Sequence, residues 1–137
     1  MFTIPDKVIQ RVNEKTKAVA EKLEIKETLL NIGYCLNGIK YKDMAIGNVA
    51  KTTHVLKLIL KEKFNEEQFF QKVFDEQVRA EIIYPKPGCS YDDWYLIIIE
   101  EYGEMIKEFN NQDYQKMEAE AVQFVAMIFK FIENIGK

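Results

Sequence analysis

The sequence predicts an all-α protein, a single-domain helical bundle of about five to six helices over residues 1–137. Apolar residues recur at three- and four-residue spacing along most of the chain, while sustained period-two alternation is absent. Two of the three prolines fall in one short segment, Tyr84–Ser90, which predicts a loop there. A hydrophobic fraction of 47% in 137 residues suffices for one core and excludes a disordered chain.

The first half of the chain predicts three helices. Pro5 is suited to a helix start, and apolar residues at helical spacing predict a first helix over about 5–23. A short second helix is expected over 26–37, loosened near Gly33. A third is expected over 43–63, with its lysines largely turned outward.

The second half predicts three more helices around the proline loop. A fourth helix is expected over 65–82, starting at Asn65. Ser90 or Asp92 is a suitable N-cap for a fifth over 92–110, and Asp113 for a sixth that ends near Ile135. The sixth is apolar around most of its circumference, which predicts that it is the most buried helix.

The composition and charge of the chain narrow the classes of partner and location that can be expected. Residues 1–63 carry 12 Lys and Arg against 7 Asp and Glu, a net +5, whereas residues 64–137 carry 7 against 15, a net −8. Such an acidic second half argues against polyanion binding there unless a cation mediates it. The Lys-rich first half is interpreted as a solvated helical surface, so nucleic acid is not an expected partner. Two cysteines without C-x-x-C spacing and no long apolar run predict a cytoplasmic protein with free thiols and without a membrane span.

The acidic residues of the last two helices form a pattern. Glu100, Glu101 and Glu104 fall within an arc of ~100° on the fifth helix. On the sixth, Glu120 projects at the margin of the apolar face, and Gln123 follows one turn later. A carboxylate in such a position is costly unless it is paired, protonated or bound to metal. Carboxylate and amide oxygens are hard ligands suited to Mg²⁺, so the sequence predicts a magnesium site between these helices.

The spacing of these residues resembles a known motif. Glu101-x-x-Glu104, fifteen intervening residues and Glu120-x-x-Gln123 are similar to the E-x-x-E…E-x-x-D motif of the MazG-like all-α nucleoside triphosphate pyrophosphohydrolases. Upstream, Arg79-Ala-Glu81, the Tyr84–Gly88 loop and Trp94 resemble phage and bacterial members. The resemblance covers about residues 65–135, and residues 1–64 resemble nothing recognised.

The resemblance implies Mg²⁺-dependent hydrolysis, with Mn²⁺ as a possible substitute, of a nucleoside triphosphate to a monophosphate and pyrophosphate. It implies Glu101, Glu104, Glu120 and Gln123 as metal ligands, with Gln123 in place of the usual Asp. Glu100, together with Glu101, is expected to act on the attacking water. Arg79, Lys86 and Trp94 are expected to contact the phosphates or the base.

Two alternatives remain open. The chain could be a non-catalytic helical scaffold or binding protein that keeps the MazG-like fold, an interpretation favoured by Gln123. The basic first half leaves DNA binding as a weaker reading. The broad apolar surface of the last helix also predicts a homodimer or homotetramer, with that helix near the interface.

Overall fold

A computed structural model describes residues 3–83 and 90–135, and within these ranges it is all-α, as predicted, with no strand. The described residues form five α-helices: α1 (Asp6–Cys35), α2 (Lys42–Leu60), α3 (Glu66–Ile83), α4 (Tyr91–Asn110) and α5 (Tyr114–Ile135). Short 3₁₀ turns, Leu36–Gly38 and Lys61–Lys63, follow α1 and α2. Residues 84–89 of the proline loop, including Lys86 and Cys89, lie outside the described residues.

The two helices expected before residue 38 are one continuous helix, so the predicted break between them is wrong. The stretch 24–26 carries polar and apolar residues but no Gly or Pro that would end a helix. Gly33 does not loosen α1 either, because the helix runs on to Cys35. Gly33 instead leaves room for the side chain of Tyr102 on α4, because a Cβ at position 33 would stand 2.8 Å from its hydroxyl oxygen.

The core forms around α5. This helix packs against α4, α3 and α2, while α1 packs mainly on α2. Six of its inward-facing side chains are completely buried: Met117, Ala121, Phe124, Val125, Ala126 and Ile128. The apolar surface of α5 is therefore largely covered within a single chain, which leaves little of it for the contact between copies that the sequence suggested.

Local capping fixes where the helices begin. Asn65 Oδ1 accepts the backbone N–H of Gln68 at 2.9 Å and starts α3. Ser90 and Asp93 form a reciprocal capping box at the start of α4, so Ser90 is the N-cap. Asp113 Oδ1 accepts from the Lys116 N–H at 3.2 Å at the start of α5. All three starts confirm the prediction.

A three-residue turn joins α4 to α5 and makes them antiparallel neighbours. Gln112 in this turn has a left-handed φ of 59°. Because the hairpin reverses close to residue 112, residues equally distant from it lie at the same level on the two helices. Glu104 is thus level with Glu120, and Glu101 with Gln123.

Candidate metal and phosphate site

A cavity of about 390 Å³ lies where α3, α4 and α5 meet. It collects five of the side chains singled out from the sequence: Arg79, Trp94, Glu100, Glu101 and Gln123. Glu104 and Glu120 do not line it, but their charges act on Glu101 from beside it. Lys86 lies outside the described residues. Residues predicted from three separate helices therefore meet at one place.

Glu101 is the most perturbed acid of the site. Burial, followed by the charges of Glu120, Glu100, Glu104 and Glu76, raises the pKa of Glu101 to about 7. Its Oε2 atom is buried and has no hydrogen-bond partner among the described residues. A proton or a bound cation would relieve both the repulsion and the unsatisfied oxygen.

Glu120 is the second perturbed acid. Burial raises the pKa of its carboxyl, and the negative charges of Glu104 and Glu108 raise it further, while Lys107 acts in the opposite direction. Glu120 is half-buried and Glu104 is exposed. The acidic group thus extends from the cavity along the α4–α5 seam toward the Gln112 turn.

The donors fit a divalent cation in their chemistry. Glu101, Glu104 and Glu120 supply carboxylate oxygens and Gln123 supplies a neutral amide oxygen, the ligand types that Mg²⁺ accepts. Within residues 3–83 and 90–135, no three His, Cys, Asp or Glu side chains already stand in an arrangement that could hold a metal ion. The unpaired, buried Oε2 of Glu101 fits a cation. The neighbouring carboxylates must turn toward it to complete a set of metal ligands.

Lys130 is a site residue that the sequence analysis missed. It lines the cavity, is only 8% exposed, and places its Nζ 3.7 Å from Glu81 Oε2. A buried lysine opposite several carboxylates supplies a positive charge in a low-dielectric position. Its position offered a clue, since it lies seven residues, about two helical turns, after Gln123 and is the only basic residue in the apolar stretch 117–135.

Arg79 lies on α3 at the edge of the cavity. Its guanidinium donates to both carboxylate oxygens of Glu76, with Nε 2.9 Å from Oε2. Glu76, another residue the sequence analysis missed, thereby orients Arg79 while adding negative charge near Glu101. A planar guanidinium held in this way is suited to a phosphate.

Trp94 is a wall of the cavity rather than an exposed platform. It is buried in the core cluster at 5% exposure and still lines the cavity. The cavity continues into an open groove of about 610 Å³ between α3 and α5, and the two share Glu76, Arg79 and Gln123. Together they provide an elongated space in which both the cavity and the groove are lined by carboxylates and by basic side chains.

Comparison with protein-family models, curated proteins and solved structures finds no match to this chain. Within the described residues, no helix is both long enough and apolar enough to cross a bilayer.

Proposed function

We propose that this chain hydrolyses a nucleoside triphosphate to a monophosphate and pyrophosphate with the help of Mg²⁺. One observation carries the proposal: Glu101 is held in a cavity among like charges, with its pKa raised to about 7 and one buried oxygen unpaired. Proteins retain such costly carboxylate clusters mainly where they bind a cation or perform acid–base chemistry. The MazG-like resemblance of the surrounding motif supports the same reaction.

The acidic side chains would hold the cation. Glu101, Glu104 and Glu120 would supply charged oxygens and Gln123 a neutral one, and Mn²⁺ could replace Mg²⁺. When bound, the ion neutralises phosphate charge and lowers the pKa of coordinated water. Glu100, exposed at the cavity wall, would accept a proton from the attacking water.

The basic side chains would bind the phosphates. Lys130 presents its charge from the buried side of the cavity, and Arg79 from the α3 side. Negative charge grows on the leaving pyrophosphate, and fixed cations stabilise it without reorganisation. Trp94 offers an apolar wall for the base or ribose, and Lys86 remains a predicted phosphate contact from the proline loop.

A second candidate function is a non-catalytic scaffold or binding protein built on the same bundle. Gln123 favours it, because a neutral amide at the level of Glu101 lowers the charge available to a divalent cation. In that case Arg79 and Lys130 would still bind a nucleotide or another anion, without turnover. The two candidates differ in product formation rather than in ligand binding.

Pyrophosphate release from a panel of canonical and modified (deoxy)nucleoside triphosphates, with Mg²⁺ and with Mn²⁺, tests the proposal. Glu101→Gln and Glu120→Gln should each lower the rate by ~100-fold or more, since each removes a charge expected at the metal. Glu14→Gln, on the exposed part of α1, is the matched control and should leave the rate unchanged. Equal activity in all three variants would exclude the mechanism, and nucleotide binding without product would favour the scaffold.

A cytoplasmic location and a homodimeric or homotetrameric state complete the proposal. Free nucleoside triphosphates and Mg²⁺ are both available in the cytoplasm. Cys35 is a free thiol with Lys51 Nζ 3.4 Å from its sulfur, which is compatible with that location. Measuring the mass of the purified chain by light scattering tests the oligomeric state.

A further inference from the structure

Residues 6–24 of α1 contribute nothing to the core, since Ile25 is the first residue of this helix to pack against it and only Leu29 and Ile32 are buried. Six apolar side chains of α1 are instead between 48% and 77% exposed: Val8, Val12, Val19, Leu23, Leu30 and Tyr34. They are called the α1 stripe below. Most of the stability of a helix in a protein comes from packing of its apolar face, so a packing partner would stabilise this segment.

The α1 stripe has the pattern of a helix-packing surface. Its members are separated by four and seven residues in turn, an eleven-residue repeat that keeps them within an arc of ~80°. One edge of the stripe is entirely basic and consists of Arg11, Lys15, Lys22 and Lys26. All four are exposed, and none forms an ion pair in the part of the chain that the structure describes.

A second uncovered surface lies on α3 and has the opposite charge. Phe74, Val78 and Ile82 follow one another at four-residue spacing and are also between 48% and 77% exposed. This α3 stripe is accompanied by three acids, Glu67, Asp75 and Glu81, of which Glu81 is already paired with Lys130. The basic residues of α3, Lys72 and Arg79, project ~100° or more away from its centre.

The part of α1 farthest from the core is as long as the stretch of α3 that carries the acids and the apolar side chains. Val8 to Leu23, the part of the α1 stripe farthest from the core, covers sixteen residues, and so does Glu67 to Ile82. At 1.5 Å per residue each is about 23 Å long. The uncovered part of α1 can therefore lie along this stretch of α3, with opposite charges facing each other and the apolar contact on α3 made by Phe74, Val78 and Ile82.

We infer that a second copy of this chain covers both surfaces, with α1 of each protomer lying on α3 of the other. Two such contacts related by a two-fold axis close the assembly as a dimer and leave neither stripe exposed. Contact between the two α1 helices themselves explains the surfaces less well. An antiparallel α1–α1 pair would place the two basic edges side by side, and any α1–α1 pair would leave the α3 stripe exposed to solvent. The α3 helix also carries Arg79 and Glu76, so the partner's α1 would lie along the outer side of the helix that borders the cavity.

Sedimentation velocity of the full chain from about 1 to 100 μM tests this inference. The wild type should form a dimer. Lys15→Glu/Lys22→Glu should raise its dissociation constant roughly tenfold or more, because acids would then face the acidic α3 edge. Glu67→Lys/Asp75→Lys should weaken it similarly from the other side. An equimolar mixture of these two double variants should restore dimers, since every contact then joins opposite charges.

Lys7→Glu/Lys17→Glu is the matched control, since it makes the same charge change ~140° from the centre of the α1 stripe. It should leave the dissociation constant within about twofold of wild type. A wild-type chain that stays monomeric throughout the concentration range overturns the inference. Binding of that monomer to anionic vesicles through α1 would show that a membrane surface covers the stripe instead. Dimers that are indifferent to Glu67→Lys/Asp75→Lys overturn it in favour of an α1–α1 pair.

Discussion

The hydroxyl of Tyr102 occupies the space that a side chain at Gly33 would need. Tyr102 donates a hydrogen bond to the carbonyl of Leu29 at 2.8 Å, one turn before Gly33 on α1. A Cβ at position 33 would come within 2.8 Å of the hydroxyl oxygen and 3.2 Å of the ring carbon that bears it. This contact joins the buried end of α1 to α4, the helix that carries Glu101.

Gly33→Ala should therefore destabilise the protein by about 1–2 kcal/mol. The steric cost of moving Tyr102 exceeds the ~1 kcal/mol that alanine adds to an ordinary helix position. Gly47→Ala on α2 is the control, because a Cβ there meets nothing within 4 Å, and it should stabilise by about 0.5–1 kcal/mol. Urea denaturation measures both, and equal stabilisation by the two variants would contradict the contact.

The free energy of unfolding should depend on pH through Glu101. Its pKa is about 7 in the folded protein against an ordinary value of 4.5, so the folded state binds the extra proton between these pH values. Stability is therefore lost as the pH rises from about 4.5 to 7. With allowance for solvent screening of a partly buried group, the loss is about 1–2 kcal/mol.

Glu101→Gln should remove most of this dependence in the absence of Mg²⁺ and should make the protein about 1–2 kcal/mol more stable at pH 8. Glu14→Gln, an exposed change of the same type, should leave the pH profile as in wild type. Denaturation curves collected at pH 5 and pH 8 provide the measurement. A Glu101→Gln profile that still falls across this range would assign the titration to another group.

Gln123→Asp should strengthen Mg²⁺ binding several-fold, because it adds a fourth charged oxygen at the level of Glu101. Without the metal it should lower stability by about 1 kcal/mol through repulsion with the acids already there. Gln115→Asp, exposed in the neighbouring groove, adds the same charge and should not change the Mg²⁺ affinity. Isothermal titration with MgCl₂ tests this, and unchanged affinity in Gln123→Asp would place that side chain outside the metal site.

Features encoded locally could be predicted from the sequence, and features that depend on distant residues could not. The starts of α3, α4 and α5 follow from Asn65, Ser90 and Asp113, whose side chains bond to backbone N–H groups only three residues away. The unbroken course of α1 was missed, because polar residues around 24–26 interrupt the apolar pattern without carrying a residue that ends a helix.

The candidate site likewise has features that are encoded locally and features that depend on distant residues. The positions of Glu101 and Gln123 at the cavity follow from helical spacing on two neighbouring helices. Lys130 was missed because its burial depends on how α3, α4 and α5 meet, which helical periodicity does not specify.

Asn48 on α2 is completely buried, and neither its Oδ1 nor its Nδ2 has a hydrogen-bond partner among the described residues. An amide that loses its water contacts without replacement costs about 1–3 kcal/mol, whereas an apolar side chain of similar shape avoids that cost. Asn48→Leu should therefore stabilise the protein by about 1–2 kcal/mol in thermal or urea unfolding. Thr52→Val is the contrasting change, because the Thr52 hydroxyl donates a hydrogen bond to the backbone carbonyl of Asn48 at 2.8 Å. Since this hydrogen bond is lost, Thr52→Val should bring no comparable gain in stability. Destabilisation by Asn48→Leu would show that the amide makes a favourable bond inside the bundle, and a specific structural role for Asn48 would follow.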